Sequence, residues 1–312
     1  MPAFLNGSSY LALPRDPQKW VIKDLIPVGG LTNLYGKPKT GKSYVALGMA
    51  HAISTDEESW LGFPVMKHGP VAYLQIDTPR GEWASRVDAI EKSGRSLDSV
   101  FFCDMLMVKF YPFNVSEPEH FNWLKSELDA LQPVVVFIDT IREAHAGDEN
   151  DSTVMKNVIT NLVAACRPAA VVLLSHSRKD TLFTANGGDD LMSDARGSSY
   201  LAGRMDCVIK MTGNQEVATG MQYKGRSAGR GHLKVTQDDE TGLVIFDTEE
   251  AAYHGLLRAR VLAMRQADPN ITVNKMAEQL SLETKYRAKR SINHDINGIL
   301  GIVPAKRKKR TK

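Results

Sequence analysis

The chain has 312 residues, of which 43% are hydrophobic and 24% are charged, a composition that excludes disordered and fibrous proteins. Its longest apolar runs are strand-length and its amino terminus lacks a basic segment followed by an apolar core. Neither a membrane span nor a secretory signal is therefore predicted. The formal net charge of +3 is unevenly distributed, because residues 285–312 carry ten Lys/Arg and one acidic residue. A basic end on a neutral-to-acidic body indicates a polyanionic partner.

The first two thirds of the chain alternate between strand-like and helix-like patterns. Residues 1–25 are interpreted as a lead-in segment, because Pro14, Asp16 and Pro17 interrupt regular structure. Beyond it, strands are predicted at 31–35, 71–76, 100–103, 106–108, 134–138 and 171–174, and helices at 42–53, 82–92 and 154–166. Strands that alternate with helices indicate βαβ crossovers, so we predict an α/β fold with a mostly parallel central sheet.

The pattern changes twice in the last third of the chain. Shorter alternating runs at 207–211, 232–236 and 243–246 predict antiparallel strands that extend the sheet. From residue 249 the pattern is helical, with Thr272 and Ser281 as predicted caps of the second and third helices. Three short helices predict a small helix-turn-helix domain of winged-helix type. The predicted domains are a core at 26–248, this helical domain at 249–303 and a basic tail at 304–312.

A loop rich in glycine and lysine lies between the first predicted strand and the first predicted helix. It matches the pattern G-x-x-x-x-G-K-[ST] through Gly36, Lys37, Pro38, Lys39, Thr40, Gly41, Lys42 and Ser43. The two glycines let successive backbone N–H groups point inward at phosphate oxygens. Lys42 is expected to reach the β- and γ-phosphates, and the Ser43 hydroxyl is expected to bind Mg²⁺. The loop therefore predicts a nucleoside triphosphate site.

Three further side chains follow the ends of predicted strands, which is where parallel sheets bind their ligands. Asp139 follows an unbroken apolar run and is the candidate for a second residue that holds the metal. Asp77 is the candidate to orient or deprotonate the attacking water, with Glu82 as the alternative. His176 is a candidate sensor of the γ-phosphate, and its alternative is a purely structural role.

In this order and spacing, the motifs of residues 20–247 resemble those of RecA-like P-loop ATPases, especially plasmid RepA-type hexameric replicative helicases and related phage ATPases. The matching stretches are 26–32 leading into 36–43, then 69–77, 137–140, 174–179 and 196–206. The resemblance implies ATP and Mg²⁺ as cofactors and a homo-oligomeric ring or filament with ATP between protomers. It also implies a basic residue supplied in trans, for which Lys224 and Arg226 match the position, the alternative being a solvated charge pair on a hairpin. Asp77 departs from the family, which usually carries glutamate there.

DNA, in single-stranded form, is the partner that the resemblance implies, through the loop 178–196 and the basic carboxyl end. Asp189, Asp190 and Asp194 weaken the electrostatic argument for that loop, and the other candidate loop, 142–152, is acidic. The leading hypothesis is a helicase-like motor in DNA replication or recombination. The alternatives are a phage-type recombinase that forms filaments on single-stranded DNA and a non-motor, ATP-dependent binding switch. A cytoplasmic location and a bacterial, plasmid or phage origin are expected.

Overall fold

The structure is a computed structural model that describes residues 4–12, 18–106, 108–177, 199–214, 217–226, 230–246, 249–282, 292, 295–297 and 299–300. Its strands are β1 (Trp20–Ile22), β2 (Ile26–Pro27), β3 (Leu31–Gly36), β4 (Ser59–Trp60), β5 (Phe63–Pro64), β6 (Val71–Gln75), β7 (Val100–Asp104), β8 (Val135–Asp139), β9 (Ala170–His176), β10 (Cys207–Asn214), β11 (Val217–Gly225), β12 (Arg230–Gln237) and β13 (Val244–Phe246). Its helices are α1 (Gly7–Leu11), α2 (Lys42–Ser54), α3 (Arg80–Lys92), α4 (Pro118–Leu131), α5 (Ser152–Cys166), α6 (Ser199–Arg204), α7 (Glu249–Ala267) and α8 (Val273–Ser281), with a 3₁₀ turn at Ile141–Ala144.

A nine-stranded sheet organises the fold, in the order β13-β12-β11-β10-β3-β9-β8-β6-β7. From β10 to β7 every neighbouring pair of strands is parallel, whereas β10 to β13 pair antiparallel. The predicted mostly parallel sheet with an antiparallel extension is therefore confirmed. Since β3, β6, β8 and β9 run in the same direction, their carboxyl ends meet along one edge of the sheet.

Both faces of the sheet are covered, because alternate residues of each strand point to opposite sides. On one face Leu34 and Phe137 pack with the apolar side of α2. On the other face Tyr35 and Ile138 pack with the buried residues of α5. Two layers of buried apolar side chains hold the carboxyl edge of the sheet rigid.

Two features near β7 differ from the predicted elements. Leu106 and Val108, from the predicted strand 106–108, do not lie in a strand: the chain turns at Leu106, whose N–H donates 3.1 Å to the Asp104 carboxylate, and Val108 lies in a bend. An Asx turn after β7 thus ends the strand earlier than its apolar composition indicates. Helix α4 is absent from the predicted elements, although Pro118 at its start and the spacing of Leu124 and Leu128 are helix signals.

The core begins earlier in the chain than the predicted boundary at residue 26. Val21, Ile22 and Leu25 are fully buried, and β1 pairs antiparallel with β2. Ile22 also forms a bridge with Val65. These residues, assigned to the lead-in segment because of the prolines before them, are part of the main hydrophobic core.

The carboxyl-terminal region contains two described helices of at least two turns. Helix α7 starts at residue 249, and the Thr272 hydroxyl accepts a 3.3 Å hydrogen bond from Lys275 N, as expected of a cap for α8. Ser281, the predicted cap of a third helix, is the last residue of α8 and its hydroxyl donates to the Glu278 carbonyl, and the helix that it would cap lies outside the described residues. The cationic residues 285–290 and the basic tail lie outside the described residues, so the helix-turn-helix domain stays a prediction. Within the described parts of the chain, no helix has the length and apolar character needed to cross a bilayer.

Candidate functional site

The predicted phosphate loop joins the carboxyl end of β3 to the first residue of α2. Gly41 has a φ of 79° and Lys39 a φ of 63°, so the backbone curls through left-handed conformations just before the helix. The loop leads directly into the unpaired N–H groups of the first turn of α2. Backbone donors at a helix amino terminus form a site for an anion such as phosphate.

Gly36, at the end of β3, is in close contact with the neighbouring strand β10. A Cβ atom at this position would lie 2.7 Å from the Met211 carbonyl oxygen and 2.8 Å from the Thr40 hydroxyl. The Thr40 hydroxyl in turn donates 2.8 Å to the Lys37 carbonyl. Only glycine fits here, which explains why the motif requires it at the start of the loop.

Lys42 folds back over the loop that precedes it. Its ammonium group donates to the carbonyl oxygens of Gly36 and Lys37 over 3.3 Å and 3.0 Å, and its side chain is buried. Burial lowers the pKa of Lys42, and the carboxylates of Asp139 and Asp77 oppose that effect. The ammonium group therefore lies between the loop and two acidic side chains.

Asp139 is the last residue of β8 and is only 3% exposed. Its Oδ2 accepts a 2.8 Å hydrogen bond from the Tyr73 hydroxyl, and Ser43 also hydrogen-bonds to the carboxylate. Burial raises the pKa of Asp139 to about 6, while the bonds from Ser43 and Tyr73 lower it. The peptide bond between Asp139 and Thr140 is cis.

The side chains at this edge fit a magnesium ion. Ser43 and Asp139 are in contact and offer a hydroxyl and a carboxylate, the hard oxygen donors that Mg²⁺ prefers. No group of three or more His, Cys, Asp or Glu side chains within the described residues could hold a metal alone. Two protein ligands suit Mg²⁺, which keeps several waters and shares substrate phosphates.

The two candidate catalytic carboxylates differ in their surroundings. Asp77 follows β6, is exposed, and is close enough to influence the charge of both Lys42 and Asp139. Glu82 lies in the first turn of α3 and is paired with Arg86 one turn later. The Arg86 guanidinium also lies 5.4 Å from the centre of the Tyr44 ring. Asp77 is therefore exposed and within electrostatic range of Lys42, whereas Glu82 is held in an ion pair with Arg86.

His176 ends β9 and is opposite Gly36 in the strand register. It is half-buried, and the next residue, Ser177, donates its N–H to the Gly36 carbonyl over 3.2 Å. The histidine thus lies beside the start of the phosphate loop. The loop that follows it, residues 178–196, falls outside the described residues.

Lys224 lies in β11 and Arg226 follows that strand, which is two strands away from β3 in the sheet. Lys224 pairs with Val208 and Arg230 in the β11 registers, and Arg226 N donates 2.7 Å to the Asp206 carbonyl, beside Leu31. Leu31 is the first residue of β3 and Gly36 the last, so about 17 Å of strand separates them. Arg226 therefore lies at the end of the strands away from the phosphate loop of its own chain, whereas Lys224 is level with Asn33, in the middle of β3.

The acidic loop 142–152 is structured by its own carboxylates. Asp148 accepts hydrogen bonds from the backbone and side chain of Asn150, and Asp151 caps α5 by accepting from Thr153 N and Val154 N. These aspartates have local structural roles.

Tyr73 is a site residue that the sequence patterns did not identify. Its hydroxyl is fully buried and contacts Asp139, and burial raises its pKa well above the usual value, so it remains a protonated donor. A tyrosine in a buried strand is a signal in the sequence, because its hydroxyl must find a partner. The partner itself is visible only in the folded chain.

Comparison with known proteins places this site in a family. Residues 5–181, more than half of the chain, match the AAA domain. No curated protein matches the chain. One solved structure of an ATPase domain is similar, with a TM-score of 0.51, 15% identity, and coverage of 70% of this chain and 85% of that one. A DnaB-like replicative helicase, solved to describe its interactions with primase, has a TM-score of 0.53 and 14% identity over 77% of this chain and 66% of that one.

Both structural neighbours share the α/β fold with a central, mostly parallel sheet. The predicted RecA-like core is therefore confirmed. Because the family match begins at residue 5 and extends past β9, it covers the phosphate loop, Asp77, Asp139 and His176. This chain belongs to the AAA domain family.

Proposed function

We propose that the protein is a RecA-type ATPase that binds DNA and couples ATP hydrolysis to helicase-like movement on, or remodelling of, the DNA. The observation that carries the proposal is the meeting of Lys42, Ser43, Asp77 and Asp139 at one edge of the sheet. Phosphoryl transfer to water requires an anion-binding loop, a cation, a pair of metal ligands and an exposed carboxylate.

Each residue has a separate role in the proposed reaction. The loop amides and Lys42 bind the phosphates, and Ser43 and Asp139 hold Mg²⁺. When bound, Mg²⁺ supplies positive charge that offsets charge on the phosphate oxygens. Asp77 orients the attacking water or accepts its proton, and His176 reports the state of the loop from its position beside Gly36. Since aspartate is one methylene shorter than glutamate, we expect slow basal turnover.

The position of Lys224 and Arg226 supports an oligomer with ATP sites between subunits. Arg226 lies at the opposite end of the strands from the phosphate loop of its own chain, which favours an action on the nucleotide of a neighbour, and Lys224 is two residues before it in the chain. A cation supplied in trans stabilises the charge of the transition state in other P-loop enzymes. A head-to-tail arrangement of this kind closes into a ring or continues as a filament.

Nucleic acid is the polyanion that the basic carboxyl end suits. Residues 285–312 carry ten Lys/Arg and one acidic residue, and cations of this density bind phosphate backbones in a salt-dependent manner. The loop 178–196 follows His176 directly in the chain, and this connection supports a coupling between nucleotide state and DNA contact. We propose both segments as the DNA-binding surface, with single strands as the preferred substrate.

The decisive measurement is the ATPase rate with and without single-stranded DNA, in parallel with native mass spectrometry. Stimulation of the ATPase rate by single-stranded DNA, together with separation of a forked duplex, supports the helicase. Stimulation with strand exchange and no unwinding supports the recombinase instead. No stimulation in a chain that still hydrolyses ATP overturns the motor and supports the binding switch. Lys42→Ala is the control, because it should abolish turnover and leave the circular dichroism spectrum unchanged.

A further inference from the structure

Two hydroxyl groups from different elements hold the Asp139 carboxylate. Ser43, at the start of α2, is one of them and is itself a proposed metal ligand. The other is Tyr73, in the middle of β6, whose phenol donates to Oδ2 over 2.8 Å. Tyr73 is fully buried, so it cannot contact nucleotide or water, and the proposed function gives it no role.

The strand register fixes the direction of this hydrogen bond. Tyr73 is opposite Phe137 on the adjacent parallel strand β8, and Asp139 follows two residues later on the same face of that strand. A long side chain on β6 can therefore lie along the sheet and reach the carboxylate at its edge. An aliphatic residue at position 73 would fill the same core without reaching Asp139.

Aromatic packing holds the phenol ring in place. The Tyr73 ring stacks on Phe137 with centroids 5.5 Å apart and contacts the rings of Trp83 at 4.9 Å and Phe102 at 5.8 Å. Because buried rings in a close-packed core cannot turn without displacing neighbours, the hydroxyl has one available direction. The donor is preorganised before any metal or nucleotide binds.

We propose that Tyr73 is a positioning residue for the metal site, holding the Asp139 carboxylate so that it faces Ser43. The inference rests on the proposed ATPase function. Rotation about the terminal torsion of aspartate is soft, so a carboxylate without this bond would turn towards the nearby Lys42. Partners that orient metal ligands typically contribute about 10- to 100-fold to metal affinity or activity.

Tyr73→Phe tests the inference, because it removes one oxygen atom and keeps the ring. We expect the Mg²⁺ concentration for half-maximal ATPase activity to rise about tenfold and kcat to fall about tenfold. At saturating Mg²⁺, the KM for ATP should change much less than kcat. Binding of a fluorescent ADP analogue, titrated with Mg²⁺, should show the same shift without any turnover.

Phe102→Leu is the matched control, since Phe102 packs on the same ring and has no polar contact with Asp139. It should lower the thermal unfolding midpoint and leave the Mg²⁺ dependence unchanged. The positioning role would be overturned if Tyr73→Phe kept the wild-type Mg²⁺ dependence, or if Tyr73→Phe and Phe102→Leu lost Mg²⁺ affinity and kcat equally. If the wild-type protein itself shows no Mg²⁺-dependent nucleotide binding, the proposed function has failed, which is a different result.

Discussion

Arg258 in α7 forms a 2.9 Å ion pair with Asp24, a residue 234 positions earlier in the chain. The same guanidinium donates to the Tyr223 hydroxyl and lies 4.5 Å from the centre of the Phe63 ring. Both charged side chains are mostly buried, at 22% and 14% exposure. Arg258 therefore links helix α7 to three separate segments of the core.

Arg258→Ala should lower the free energy of unfolding by about 1–3 kcal/mol, because it leaves the Asp24 carboxylate without its cation. Chemical denaturation measures the loss, and limited proteolysis should show faster cleavage around α7. Gln266→Ala is the control, since that residue is exposed on the same helix and should change stability by less than about 0.5 kcal/mol. Equal losses in the free energy of unfolding of the two variants would contradict the proposed role of Arg258 in holding α7 on the core.

Gly36→Ala should damage the phosphate loop. The added methyl group would lie 2.7 Å from the Met211 carbonyl, and the backbone of β10 cannot move away cheaply. We expect a loss of about 1–3 kcal/mol in stability and weaker nucleotide binding, measured by calorimetry. Gly81→Ala, in α3, meets nothing within 4 Å and should be neutral or slightly stabilising. Unchanged nucleotide affinity in Gly36→Ala would refute the steric argument.

Asp139→Asn should stabilise the nucleotide-free protein while abolishing Mg²⁺-dependent hydrolysis. The pKa of Asp139 is raised from 3.8 to about 6 in the fold, so the charged form costs stability above pH 6. Lowering the pH from 6 towards 4 protonates the native carboxyl group and removes that cost. The variant should be more stable than wild type by up to about 3 kcal/mol at pH 7.5, and by roughly half as much at pH 5. Thermal unfolding of both proteins at the two pH values tests the direction of this effect. A stability difference between variant and wild type that is larger at pH 5 than at pH 7.5 would disprove it.

Asp77→Asn and Glu82→Gln separate the two candidates for the catalytic carboxylate. Because Asp77 is exposed beside Lys42 and Glu82 is paired with Arg86, we expect the first variant to lower kcat by about 10²-fold or more. The second should change kcat only slightly. Single-turnover ATP hydrolysis, with nucleotide affinity measured separately, distinguishes catalysis from binding. Wild-type turnover in Asp77→Asn would transfer the role to Glu82.

Much of the core and its candidate site could be predicted from local patterns. The strands that begin at Leu31, Val71 and Val135 are short, mainly apolar runs, and the loop at 36–43 has a fixed spacing of glycine and lysine. Such patterns depend only on residues that are close in the sequence, so they can be recognised before the fold is known. Where local composition was ambiguous, as at Leu106 and along α4, the prediction was wrong or absent.

Local patterns in the sequence were enough to identify the residues that end the parallel strands, and with them the side chains of the candidate phosphate site. The folded chain was needed to show that Tyr73 contacts Asp139, that residues 20–25 belong to the core, and that Arg226 lies at the edge opposite the loop. Those relationships depend on strand order and register between segments far apart in the chain. Hydrophobic periodicity records which face of a strand is buried, but it carries no information about which strand lies beside it.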